Sequence, residues 1–394
     1  MATYSRILLL TILLISTSIQ TSAEKWSNAP PPCNFPAIYN FGDSNSDTGG
    51  MSAAFGPIPP PYGQDFFHGP AGRESDGRLI IDFIVKISCF SCAAEYLGLP
   101  YLSAYLDSLG TNFRHGANFA AGGSTIRRQN ETIYENGISP FSLDIQVTNF
   151  DQFKSRTSEL YHRAKKPFDK SQLPRPREFS RALYTFDIGQ NDILDGFRKL
   201  TMPQLKAALP DIVEHFASSI IHLYEKGARN FWIHNTGPLG CLPAATLYIT
   251  NPKPGFFDNY GCIKSHNSMV IEFNKQLKSR IDKLRKQLRR ASIIYVDVYS
   301  AKYHLISNTK YYGFTDPLKI CCGRHENNFD VWCGQTMIIN GSEIIGVSCS
   351  SPASYISWDG VHYSQAANQW VANHILNGSL SDPLFDVTHA CLNH

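Results

Sequence analysis

The sequence predicts an α/β protein, a three-layer α/β/α sandwich built on a mainly parallel, five-stranded sheet. Two observations carry this reading. Short runs of β-branched and aromatic residues alternate with longer segments of helical periodicity, the order that parallel strands joined by crossover helices require. Polar, glycine-rich stretches then follow three of the strand candidates, where open parallel sheets place their ligand sites.

The first strand candidate covers residues 36–41 and runs into "GDSNSD". The second covers 116–120 and is followed by "AGGST", and the third covers 182–188 and is followed by "GQND". Residues 230–234 and 292–298 supply a fourth and a fifth. Between them, Leu209, Ile212, Val213, Phe216, Ile220 and Leu223 recur at three- and four-residue steps until Gly227 stops the helix. Val270, Phe273, Leu277, Ile281, Leu284 and Leu288 do the same, and the Lys and Arg residues opposite them read as a solvated helix face. The proline-rich "GPIPPPYG" at 56–63 reads as a rigid loop.

Length and composition bound the rest. The chain has 394 residues, of which 43% are hydrophobic, enough for one large domain, placed at 24–394. Residues 1–23 read as a signal peptide: Arg6 is the positive end, residues 7–15 the apolar core, and Thr21, Ser22 and Ala23 a small-residue cleavage site. That run is shorter than the roughly 20 residues a bilayer needs, and no later segment meets the length, so no transmembrane segment is expected. A net charge of +3 without a long basic run gives no footprint for nucleic acid. Sequons at Asn130, Asn340 and Asn377 fit the secretory route. The ten cysteines read first as disulfides, with Cys241 and Cys262 the preferred pair and no spacing that suits a metal module.

The chemistry concentrates in the polar loops. Ser44 lies two residues after Gly42, but Ser46 stands where an α/β-hydrolase elbow needs its second glycine, so that motif fails. Far downstream, "SWDGVHYS" places Asp359 and His362 three apart just before a helical pattern. Local geometry can hold such a pair together: the carboxylate orients the imidazole, and the imidazole takes a proton from serine. Asp47 and Asp192 read as structural carboxylates that bond loop N–H groups, and Trp358 as a packing residue.

Taken together and in order, "FGDSNSDTGG", "GANFAAGGST", "FDIGQNDI" and "SWDGVHYS" resemble the blocks of the GDSL, or SGNH, hydrolase family. "GRESDGRLIIDFI", "LGLPYLSAYL" and "GARNFWIHNTGPLGCLP" extend the likeness over nearly the whole mature chain, nearest to the plant branch of secreted esterases and lipases and its early-nodulin-like and acetylesterase-like subgroup. The resemblance implies a flavodoxin-like strand order and ester hydrolysis through an acyl-serine intermediate, with no metal or other cofactor. It implies Ser44 as nucleophile, His362 as base and then acid, and Asp359 as its orienter. The oxyanion hole would comprise the N–H groups of Ser44 and Gly122 and the side-chain amide of Asn191.

The expected partners are small-molecule or polysaccharide esters, with short or medium acyl groups on glycans or plant metabolites, met outside the cell or in its wall. Two rivals stand beside this reading: an acyltransferase using the same triad, and a secreted binding or defence protein on an inactive hydrolase fold. One stretch departs from the pattern. Residues 85–93, carrying Cys89 and Cys92, interrupt the helix expected after "LIIDFI" and read as an insertion.

Overall fold

The computed structural model describes residues 32–85, 97–129, 137–326 and 329–391. The leader at 1–23, the sequon at Asn130 and residues 86–93 of the expected insertion lie outside them. By backbone contacts the chain divides into two units, Met1–Cys33 and Asn34–His394, and the second holds every strand and helix named below.

Five parallel strands form the centre: β1 (Ile38–Gly42), β2 (Gly116–Asn118), β3 (Leu183–Asp187), β4 (Asn230–His234) and β5 (Ser292–Val296). Ile38 pairs with Gly116 on one side and Leu183 on the other, so β1 lies between β2 and β3. Nearly every residue of these strands is buried. That is why they read as continuous apolar runs, as strands covered on both faces do. A sixth strand corrects the expected count. After two antiparallel hairpins outside the sheet, β6 (Gly323–Glu326) with β7 (Phe329–Trp332) and β8 (Thr336–Ile339) with β9 (Ser342–Ile345), the segment β10 (Ser381–Asp382) pairs antiparallel to β5. The sheet order is β10-β5-β4-β3-β1-β2, the flavodoxin-like order with one antiparallel edge. Two residues are too few to show any periodicity, so β10 left no mark in the sequence.

Alternation sorts the strand residues into two cores. Tyr39, Phe41, Tyr184, Phe186, Phe231 and Ile233 face a cluster completed by α3 (Leu143–Arg163), α5 (Met202–Glu225) and α6 (Lys264–Gln287). Phe150 sits at its centre, with the rings of Tyr39, Phe41, Phe119 and Tyr184 5.2–5.9 Å away, the edge-on spacing aromatic pairs favour. The third layer is α2 (Ile80–Val85), α7 (Val298–Ser307) and α8 (Gln365–Leu376), with α8 packing on both of the others. Two short helices border the loops at the sheet edge: α1 (Gly50–Phe55) after β1, and α4 (Gln190–Lys199) after β3.

Among the disulfides, Cys241–Cys262 is the expected pair. Cys322–Cys333 and Cys321–Cys349 tie the start of the first hairpin to its own end and to the end of the second. No helix among the described residues is long and apolar enough to cross a membrane.

Candidate active site

Because β1, β2 and β3 are parallel, the loops after them leave from one edge of the sheet. The turn after β1 is tightly bound. Gln146 on α3 clamps Gly42, accepting from its N–H at 2.9 Å and donating to its carbonyl at 2.8 Å. A Cβ on Gly42 would stand 2.6 Å from the Asp187 carbonyl, so only glycine fits. Asp43 then accepts from the backbone and side chain of Asn45, and Ser46 N–H returns to the Asp43 carbonyl. Ser44 is thereby held on a fixed turn at the carboxyl end of a central strand, and among the described residues its Oγ has one side-chain partner, His362.

Asp47 anchors the next stretch. Its carboxylate accepts from the N–H groups of Gly49, Gly50 and Met51 at the start of α1, and from Gly122 at 2.8 Å. Burial still pushes its pKa up to about 6 against those four donors. Asp192 does the same for α4, accepting from Ile126 and Arg127, and burial pushes it up to about 7. Both carboxylates fasten loops to one another, as expected of them.

The Gly122 expectation needs correction. Its N–H is committed to Asp47 and is not available to a ligand. The neighbouring Gly123 lines the cavity instead, and its N–H has no acceptor among the described residues. Gly123 has φ near +75°, a conformation suited to glycine. Two adjacent glycines look alike in a sequence; only the path of the backbone tells them apart. Asn191 lies in the first turn of α4 at the cavity wall, one amide hydrogen donated to the Ser124 carbonyl at 2.9 Å and the other free for a ligand.

The loop before α8 supplies the remaining groups. Asp359 Oδ1 accepts from the N–H groups of Val361 and His362, while Oδ2 meets His362 Nδ1 at 2.7 Å and accepts from the Tyr62 hydroxyl at 2.9 Å. His362 Nε2 then reaches Ser44 Oγ at 2.8 Å. Trp358, fully buried, packs with Cys321, Cys322 and Cys333, and its carbonyl accepts from both Cys321 and Cys322 N–H. The packing role expected of Trp358 is the observed one. The two disulfides of this cluster therefore brace the loop that carries Asp359 and His362.

A second carboxylate, one that sequence reasoning passed over, completes the arrangement. Glu74 Oε2 lies 2.7 Å from His362 Nε2, the same nitrogen that faces Ser44. Burial alone would lower the His362 pKa, but the charges of Asp359 and Glu74 raise it well above its ordinary value. Burial would likewise raise Asp359, yet the facing imidazole and the amides hold it below the usual carboxylate range.

These groups open on a cavity of about 670 Å³. Ser44, Glu74, Gly123, Asn191 and His362 lie at its polar end, and Leu194, Phe197, Leu242, Ala245 and Trp332 form apolar walls. Phe197 is six residues along α4 from Asn191, roughly 9 Å at the helical rise. His266 stacks on Phe197, ring centroids 3.9 Å apart. Among the described residues no group of three His, Cys, Asp or Glu side chains is placed to hold a metal ion.

Comparison with known proteins agrees with this geometry in kind. The sequence model of the GDSL-like lipase/acylhydrolase family matches residues 38–375. A GDSL esterase/lipase of Arabidopsis thaliana is 57% identical over 98% of this chain and 94% of its own length. The GDSL esterase/lipase ENOD8 of Medicago truncatula is 46% identical over 91% of this chain and 90% of its own. A protein named alpha-L-fucosidase 3, also from Arabidopsis thaliana, is 47% identical over 93% of this chain and 95% of its own.

Proposed function

Since this chain belongs to the GDSL-like lipase/acylhydrolase family and is a carboxylic ester hydrolase, we propose that it acts through Ser44, by way of an acyl-serine intermediate. The observation that carries this is the unbroken chain from Asp359 through His362 to Ser44, at 2.7 and 2.8 Å. His362 Nε2 takes the Ser44 proton as Oγ bonds to the ester carbon. The carbonyl oxygen becomes an oxyanion, held by the N–H groups of Ser44 and Gly123 and by the free amide hydrogen of Asn191, each donor lowering the barrier by about 3 kcal/mol. Collapse breaks the ester C–O bond, and His362 passes its proton to the departing alcohol. Water then attacks the acyl-serine with His362 as base, releasing the acid and restoring Ser44.

The substrate class is an ester of a short or medium acyl group on a glycan or plant metabolite. The apolar lining of the cavity, with Leu194, Phe197, Leu242 and Ala245 beside the polar end, supports it. Secretion, with residues 1–23 removed, is supported by the disulfides Cys241–Cys262, Cys321–Cys349 and Cys322–Cys333. Asn340, at the tip of the β8–β9 turn, and Asn377, at the end of α8, are both exposed, which supports them as glycosylation sites of this form.

A panel of acetyl, butyryl and long-chain p-nitrophenyl esters, acetylated xylan and pectin, and p-nitrophenyl α-L-fucoside tests the reading. Butyryl or shorter esters are expected to exceed long-chain esters in kcat/KM by about tenfold or more, with no turnover of the fucoside. Faster cleavage of the fucoside than of any ester would overturn it. Adding a competing alcohol separates hydrolysis from transfer: free acid is the expected main product, and a predominance of the new ester would make the protein a transferase.

A further inference from the structure

Glu74 presents a chemical conflict. His362 Nε2 carries either one hydrogen or one lone pair, yet it faces two oxygens, Ser44 Oγ at 2.8 Å and Glu74 Oε2 at 2.7 Å. With a lone pair on Nε2, an ionised Glu74 is repelled. With a hydrogen there, both contacts are favourable, but the imidazole cannot take the serine proton. The geometry found is therefore that of a resting state. Glu74 also lines the cavity beside the loop after β2: its Oε1 is the nearest atom, at 2.7 Å, to the space a Cβ on Gly122 would fill.

An oxygen within hydrogen-bond reach of Nε2 and beside Ser44 Oγ stands where the leaving oxygen of an ester, and later the attacking water, has to be. We propose that Glu74 is a positioning and specificity residue: its carboxylate fills the leaving-group position in the free enzyme, and on substrate entry it turns aside to accept a hydrogen bond from the alcohol half of the ester. The substrate class this points to is an ester whose alcohol carries a hydroxyl next to the ester oxygen, as in partly acylated polyols and sugars. The inference rests on Ser44 as the nucleophile and His362 as its base.

Other groups near His362 do not take this place. Asp359 binds the opposite nitrogen, and the Tyr62 hydroxyl donates to Asp359. Arg198, Tyr248 and His266 line the same cavity, where Arg198 pairs with Asp195, the Tyr248 hydroxyl donates to Asp330, and His266 stacks on Phe197. Lys302, beneath the loop, lies over the Tyr363 ring, with Asp43 and Asp187 as its charge partners. Glu74 is thus the one carboxylate at Nε2, the nitrogen that faces Ser44, among the described residues.

Two variants test the proposal. In Glu74→Gln the charge is lost and the size kept, so His362 sheds its proton more readily. The acidic limb of kcat/KM against pH for p-nitrophenyl acetate should move down by about one unit or more. In Glu74→Leu the hydrogen-bond acceptor is lost. The wild-type preference for 2-hydroxyethyl acetate over ethyl acetate, a pair differing by one hydroxyl, should then fall by about tenfold. Glu74 as a mere packing residue would change rates without moving either quantity. An unmoved limb in Glu74→Gln overturns the proposal, as does an unchanged preference in Glu74→Leu. If Glu74→Leu does not fold, the pH limb alone decides. Wild-type protein that cleaves none of these esters would instead overturn the assignment of Ser44, and this proposal with it.

Discussion

Replacing Ser44 with alanine is expected to lower ester turnover by a factor of about a million while leaving the fold intact. Both halves follow from the geometry. Among the described residues the Ser44 hydroxyl has one side-chain partner, His362, and the turn is held by backbone and neighbouring side chains that alanine leaves untouched. Thermal unfolding should therefore shift by no more than about 1 kcal/mol, the usual net worth of the one hydrogen bond removed. The chemistry has no substitute for the lost oxygen. Asn191, Gly123 and the backbone of residue 44 would still polarise a bound ester, which leaves a residual rate roughly a thousandfold above that in water. Rates of p-nitrophenyl acetate hydrolysis and a melting curve on the same preparation check the two halves together.

Asp359→Asn is the second large effect, expected at about ten-thousandfold in kcat. All the contacts made by Asp359 are as an acceptor: Oδ1 receives two backbone N–H groups, and Oδ2 receives the Tyr62 hydroxyl and faces His362 Nδ1. An amide has to point its NH₂ at one of these sets. Turned toward Oδ1's partners, it meets two donors with a third. Turned toward His362, it donates to Nδ1 and drives the ring proton to Nε2, where it blocks acceptance from Ser44. The wrong tautomer, rather than a displaced ring, is the predicted cause. It should appear in the kcat of the variant as a large loss with a small change in KM, and in imidazole ¹⁵N shifts recorded above the acidic limb, where the ring is neutral, as a proton on Nε2 in place of Nδ1.

What the sequence disclosed and what it hid divide along physical lines. Asp359 and His362 were legible because a three-residue spacing lets one turn bring them together, which the paired backbone bonds to Oδ1 now account for. Ser44 was legible because a buried strand stops at a glycine two residues before it. The five parallel strands declared themselves through burial on both faces, and Cys241–Cys262 through a short intervening segment. Gly122 was taken for Gly123 because the choice depends on which amide the Asp47 carboxylate consumes, a contact between distant loops. Glu74 sits inside a recognised block, but its partner is almost at the other end of the chain, so nothing local marked it. The pairing of Cys321, Cys322, Cys333 and Cys349 was hidden for the same reason: adjacent cysteines permit several connectivities, and packing around Trp358 selects one.

The central claim is that the hydroxyl of Ser44, activated by His362, attacks the acyl carbon. Incubation with a fluorophosphonate, followed by digestion and mass spectrometry of the peptides, tests it without any assumption about the natural substrate. A single adduct on Ser44 is expected, formed quickly in the wild type and lost in Ser44→Ala. A wild-type protein that hydrolyses esters while Ser44 stays unlabelled, or carries its adduct on another residue, would contradict it.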